Sequence, residues 1–185
     1  MPHYVSFLRA INVGGHVVKM HELTSCFQEL GFANVETFIA SGNVIFEAKS
    51  ANASSLERHI EERLHTLLGY KVAAFIRTDA EVTAIARQRL FADSDLNSAP
   101  TLVVGFLKEP LPETSRKLLL GLTSGIDLFN THGREIFWLC RKMQHESKFS
   151  NAVFEKKLSV QATFRGFPTI VKLARRFPVS MHPPE

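Results

Sequence analysis

Apolar and polar positions follow two periods along the chain. His3–Arg9 is a nearly continuous apolar run and reads as a strand. Met20, Leu23, Phe27 and Leu30 recur at helical spacing, which predicts a helix over Lys19–Leu30 closed by Gly31. Val35–Ala40 and Asn43–Ala48 read as strands joined at Ser41-Gly42. Ser54–Leu68 is a second helical stretch with Leu56, Ile60, Leu64 and Leu67 inward, and Lys71–Arg77 a fourth strand. Thr78 then caps a helix whose inner face is Val82, Ile85 and Ala86.

Strand, helix, strand, strand, helix, strand is the split βαβ, ferredoxin-like order. The second half repeats it. Thr101–Lys108 is a strand and Pro112–Leu122 a helix with proline at its start. Asp127–Thr131 and Glu135–Arg141 form a hairpin around His132-Gly133-Arg134. Lys148–Leu158 is a helix, Val160–Arg165 a strand and Pro168–Phe177 a last helix. Val72, Arg77, Val82, Ile85 and Ala86 recur as Val160, Arg165, Ile170, Leu173 and Ala174 at one constant offset, as duplication predicts. The expected fold is α+β: two fused ferredoxin-like (βαββαβ) halves with antiparallel sheets, each followed by an extra helix. The halves span residues 1–92 and 99–178. The punctuated stretch Phe91–Pro100 links them, and residues 179–185 form a proline-rich, flexible tail.

A ferredoxin-like sheet carries helices on one face only. These strands are nonetheless apolar on both: Phe38 against Ile39, Ile45 against Phe46, Phe75 against Ile76. Such strands require cover on both sides. Either the two open faces pack on each other, with the chain's 15 phenylalanines supplying the interior, or two copies of the chain pair through them. The chain is accordingly expected to be a monomer or a homodimer.

Composition narrows the function. The 185 residues are 45% hydrophobic and 22% charged, as in soluble globular proteins. No apolar run is long enough to span a bilayer and the start lacks a secretory pattern, so a cytoplasmic protein with no membrane partner is expected. Cys26 and Cys140 fit small buried hydrophobes better than a disulfide or zinc set. The histidine pairs His16/His21 and His59/His65 do not share a helical face, so neither metal nor cofactor is predicted.

The first-strand loop carries the candidate chemistry. In this topology strands one and two run parallel with strand three between them, so the loop leaving strand one lies beside the turn joining strands two and three. That places Arg9, Asn12, Gly14 and Gly15 near Ser41, Gly42 and Asn43. Arg9 offers a fork of donors suited to carboxylate or phosphate. The Gly14-Gly15 amides can cradle an anion ahead of a helix N-terminus, with Asn12, Ser41 and Asn43 orienting it. The expected ligand is a small anion, phosphate- or nucleotide-like. The competing use of Arg9 is an ion pair with a carboxylate such as Glu47 or Glu36. The loop is neither a P-loop nor a dinucleotide fingerprint.

No catalytic residue can be assigned, and the question of an enzyme stays open. Ser41 lacks a nucleophile elbow, and Glu61-Glu62 are helix neighbours pointing apart. Lys148, Asn151 and Glu155 share one helical face and read as a solvated stripe. The net charge of +4 is uneven: residues 141–176 hold nine basic residues against two acidic ones. Lys172, Arg175 and Arg176, with interleaved phenylalanines, support an alternative nucleic-acid-binding module. The strand Val160–Arg165 carries no RNP aromatic motif, which counts against it. A third reading is a dimerising scaffold without ligand.

Leu8-Arg9-Ala10-Ile11-Asn12-Val13-Gly14-Gly15, Leu30-Gly31-Phe32 and Ser41-Gly42-Asn43-Val44 resemble the opening of domain-of-unknown-function family 1697. Ser147-Lys148 to Asn151, Glu155-Lys156 and Ala162-Thr163-Phe164-Arg165 resemble its looser closing motif. The resemblance implies a bacterial protein of two ferredoxin-like halves and brings no assigned activity. Ala10 stands where the pattern has a glycine, and Gly166-Phe167-Pro168 replaces an asparagine- and tryptophan-containing run.

Overall fold

Among the described residues, eight strands and seven α-helices follow one another in a duplicated order. They are β1 (His3–Arg9), α1 (Met20–Glu29), β2 (Ala33–Thr37), β3 (Asn43–Glu47), α2 (Ala53–Leu68), β4 (Ala73–Thr78), α3 (Asp79–Ala86) and α4 (Asp93–Ser98), then β5 (Thr101–Phe106), α5 (Glu113–Leu120), β6 (Asp127–His132), β7 (Glu135–Cys140), α6 (Asn151–Leu158), β8 (Thr163–Gly166) and α7 (Phe167–Ala174). The structure, a computed structural model, describes residues 1–12, 15, 17–39, 42–49 and 52–177. Two antiparallel sheets have the orders β2-β3-β1-β4 and β6-β7-β5-β8. β1 and β2 therefore run parallel with β3 between them, the ferredoxin-like arrangement. The tail 179–185 lies outside the described residues.

Local chemistry sets the element ends. Thr78 Oγ1 accepts from the Glu81 amide at 3.2 Å while the Glu81 carboxylate accepts from the Thr78 amide at 2.8 Å, a capping box that starts α3. Gly69 ends α2 at φ +77, a left-handed turn that a side chain would strain. The link between halves is not irregular throughout. Asp93–Ser98 forms α4, with Asp93 and Asp95 in its first turn, where the helix dipole favours negative charge.

The layers stack as helices, sheet, sheet, helices. On one face of the first sheet Tyr4, Leu8, Phe46 and Ile76 meet Leu23, Phe27, Leu56 and Ile60 from α1 and α2. On its other face Val5, Phe7, Ile45 and Phe75 meet Val104, Phe106 and Phe137 of the second sheet. The Phe7 and Phe106 rings stack with centroids 3.9 Å apart and planes 11° from parallel. Burying each such ring is worth about 1.5–3 kcal/mol. Val82, Ile85, Ile170 and Leu173, from the extra helices α3 and α7, close the side of this joint. Trp138, Phe149, Phe154 and Leu158 form the second half's own core. The open sheet faces thus cover each other within one chain. The expected strand Val35–Ala40 is shorter at its end: β2 stops at Thr37, so Phe38 and Ile39 lie beyond it, Ile39 at φ +55 and 49% exposed.

Size is matched across each central strand pair. Ser6 on β1 faces Ile76 on β4, and Gly105 on β5 faces Phe164 on β8. A Cβ at Gly105 would lie 2.6 Å from the Phe164 ring, so the aromatic fits only because nothing projects beneath it.

Candidate functional site

The first-strand loop and the β2–β3 turn do meet. The Leu8 amide donates to the Gly42 carbonyl at 2.8 Å. Gly42 takes φ +72, and a Cβ there would come within 2.7 Å of Ile11 Cγ2. Of the expected contacts, Gly14 and Ser41 lie outside the described residues. Gly15 adopts φ +85 with open space around it. Asn12 Oδ1 accepts from the Val18 amide at 3.0 Å and so closes its own loop. Asn43 is buried: its Nδ2 donates to the Phe38 carbonyl at 2.9 Å, and its Oδ1 accepts from Arg165 Nε at 2.7 Å. Ala10, in place of the family's glycine, is held at φ +59.

Arg9 is engaged, but not by Glu47 or Glu36. Its Nε and Nη2 donate to Glu155 Oε1 and Oε2 at 2.7 and 2.5 Å, a two-pronged pair with a carboxylate of the second half. Glu155 Oε1 also accepts from the Ala162 amide, at 3.1 Å, just before β8. The arrangement has a twin. Lys108 stands two residues beyond Phe106, as Arg9 stands two beyond Phe7. Its Nζ donates at 2.6 Å to Glu61 Oε1, which also accepts from the Ala74 amide on β4 at 2.9 Å. Each ion pair crosses between halves, and each carboxylate also receives a backbone N–H on the outer side of β4 or ahead of β8, positions that would otherwise face no strand.

A second twin lies deeper. Arg77 Nη2 donates to the Leu107 carbonyl and Arg165 Nη2 to the Leu8 carbonyl, both at 2.8 Å. Arg77 Nε meets Glu135 Oε1 at 2.6 Å, where Arg165 Nε meets Asn43 Oδ1. Asn43 and Glu135 open the equivalent strands β3 and β7. Each guanidinium lies over a ring of the stacked pair, Arg77 over Phe106 and Arg165 over Phe7. Burial pulls the Arg77 guanidinium below its ordinary range despite Glu135, and pulls Arg165 down to about 10. Both remain cations at neutral pH. Sequence reasoning passed over this set. Its one signal was the recurrence of Arg77 as Arg165 at the duplication offset.

Beside Arg9 opens a cleft of about 360 Å³, lined by Arg9, Glu61, Glu62, His65, Lys71, Lys108 and Gln161 together with Val72 and Ala73. Ala73 opens β4, Gln161 lies two residues ahead of β8, and the lining residues come from both halves. The Arg9 side chain remains 29% exposed. Glu61 and Glu62, which helical spacing separates, both reach this wall because α2 lies along its rim. Of the basic C-terminal residues, Lys172, Arg175 and Arg176 are all exposed, and Arg176 Nη2 donates to Glu36 Oε2 at 2.5 Å. Lys172 lies in the last turn of α7, and Arg175 caps that helix. Among the described residues no cluster of three or more His, Cys, Asp or Glu could hold a metal, and no helix is long and apolar enough to cross a membrane.

Fold and site together define a duplicated ferredoxin-like α+β protein whose halves are laced by reciprocal charged contacts around a shared cleft. The chain belongs to the family described as protein of unknown function (DUF1697), whose profile matches residues 1–137. Its fold is similar to that of the conserved bacterial protein SP0830 from Streptococcus pneumoniae, at TM-score 0.70 and 21% identity, over 95% of this chain and 98% of that one. A comparison with curated proteins finds no match. Neither the family description nor the neighbour's title names an activity.

Proposed function

We propose that this protein binds a small anionic ligand, phosphate- or nucleotide-like, in the cleft at the end of β1. One observation carries the reading: Arg9, Lys71 and Lys108 converge on a single cavity from three separate segments. Among the described residues Lys71 makes no ion pair, so its charge is available to a ligand.

The Arg9 side chain is 29% exposed, so it can meet a ligand without leaving Glu155. Each charge-assisted hydrogen bond gained is worth roughly 1.5–3 kcal/mol. Glu61 and Glu62 on the same wall disfavour a bare dianion. They favour an anion that also carries hydroxyl or amino donors, as a nucleoside phosphate does, and Gln161 and His65 add polar partners. On this reading Asn43 and Asn12 hold the loops still rather than touch the ligand.

Thermal denaturation of the intact chain with inorganic phosphate and with nucleoside mono-, di- and triphosphates tests the proposal. A nucleotide should raise the melting temperature, and Lys71→Glu should abolish the rise while leaving the unliganded transition in place. If none of these compounds shifts the melt, or if Lys71→Glu and Arg9→Ala both retain the shift, the cleft is not an anion site.

A further inference from the structure

A cavity of about 450 Å³ in the second half shares no lining residue with the interhalf cleft. Leu122, Ile126, Phe149 and Val153 give it apolar walls, and Lys148 and Lys157 stand at it. Neither lysine makes an ion pair among the described residues. The carboxylates nearby are engaged. Asp127 accepts from Trp138 Nε1 at 2.8 Å and from Ser147 Oγ at 2.8 Å through each oxygen. Glu146 Oε2 accepts from the Met143 amide at 2.9 Å. Ser147 Oγ in turn accepts from the Phe149 amide at 2.9 Å, so the segment carrying Lys148 and Phe149 is tied to a buried post.

Cavities of about 300–1,000 Å³ with mostly apolar walls and a few polar groups are the size and character that hold small ligands.

We propose that this cavity binds an amphipathic organic anion, a single carboxylate or sulfonate on an aromatic or short aliphatic body. The body lies against Phe149 and Val153, and the anion sits between Lys148 and Lys157. A hydrated phosphate has no apolar surface to bury here, so the two sites take different ligands.

The single tryptophan, Trp138, lies 4.8 Å from Phe149 ring to ring and reports on the cavity. Titrate the intact chain with anilinonaphthalene sulfonate, follow energy transfer from Trp138, and compete with octanoate. Saturable binding displaced by octanoate is expected. Lys148→Glu with Lys157→Glu, both exposed, should weaken it about tenfold. Val153→Trp should abolish it by filling the space, and Lys71→Glu should leave it unchanged. Binding that does not saturate overturns the proposal. So does binding indifferent to the double lysine reversal, or binding lost with Lys71→Glu.

Discussion

Arg77 and Arg165 occupy equivalent places in β4 and β8, and each guanidinium ends in the opposite half of the molecule, on the carbonyl of Leu107 or Leu8. The exchange is reciprocal in position but not in charge. Arg77 meets the Glu135 carboxylate, and Arg165 meets the Asn43 amide oxygen.

Because Arg77 and Glu135 are buried together, removing either leaves a charge without its counterpart. Arg77→Ala should lower the unfolding free energy by about 3–5 kcal/mol in urea titrations. Replacing the pair at once, Arg77→Met with Glu135→Leu, should restore most of the loss. A double variant as unstable as the single would show that the stranded charge is not the cause.

Glu57 gives a pH signature. It is buried on α2 and accepts from the Ile76 amide at 2.9 Å, and burial pushes its carboxyl pKa above the ordinary range. The folded chain then holds this proton more tightly than the unfolded one, so the group favours folding at low pH. Its contribution is lost as pH rises from the ordinary glutamate range through the folded pKa. Glu57→Gln keeps the acceptor without the charge. Melting temperatures of variant and parent should converge in acid, with the variant higher at neutral pH. A constant gap across pH would count against the account.

Two backbone positions make opposite predictions. Ala10 sits in the left-handed region at φ +59, so Ala10→Gly should stabilise by about 1 kcal/mol. Gly42→Ala should cost about 1–3 kcal/mol, since the new Cβ meets both a strained φ and Ile11. Chemical denaturation of the two variants checks both signs.

The matched pairs Ser6/Ile76 and Gly105/Phe164 separate size from polarity. The Ser6 hydroxyl is buried with no hydrogen-bond partner, so Ser6→Ala should leave stability unchanged or raise it. Gly105→Ala forces the Phe164 ring aside and should cost about 1–3 kcal/mol. Equal effects at both positions would contradict the packing argument.

Much of this architecture was legible before any coordinates. Period alone located the strands, helices and duplication, because apolar faces must be buried whatever lies opposite. The double-faced strands at Ile45-Phe46 and Phe75-Ile76 pointed to the joint between sheets. The partners of the charged groups were not legible. Arg9 and Glu155 are separated by nearly the whole chain, and nothing local marks one carboxylate as nearer than another. Asn43 read as a loop donor because a hairpin turn precedes it, while its burial is imposed by Arg165 arriving from the other half. The α4 helix escaped notice because one turn and a half is too short to display a period.

The crossing arginines also bear on how the chain can be divided. A piece ending in α4 would carry Arg77 but lose both Glu135 and the Leu107 carbonyl, and the remaining piece would carry Arg165 without Leu8 or Asn43. Severed there, each fragment would be left with an orphaned cation and an uncovered aromatic sheet, and order would return to both only when they were mixed.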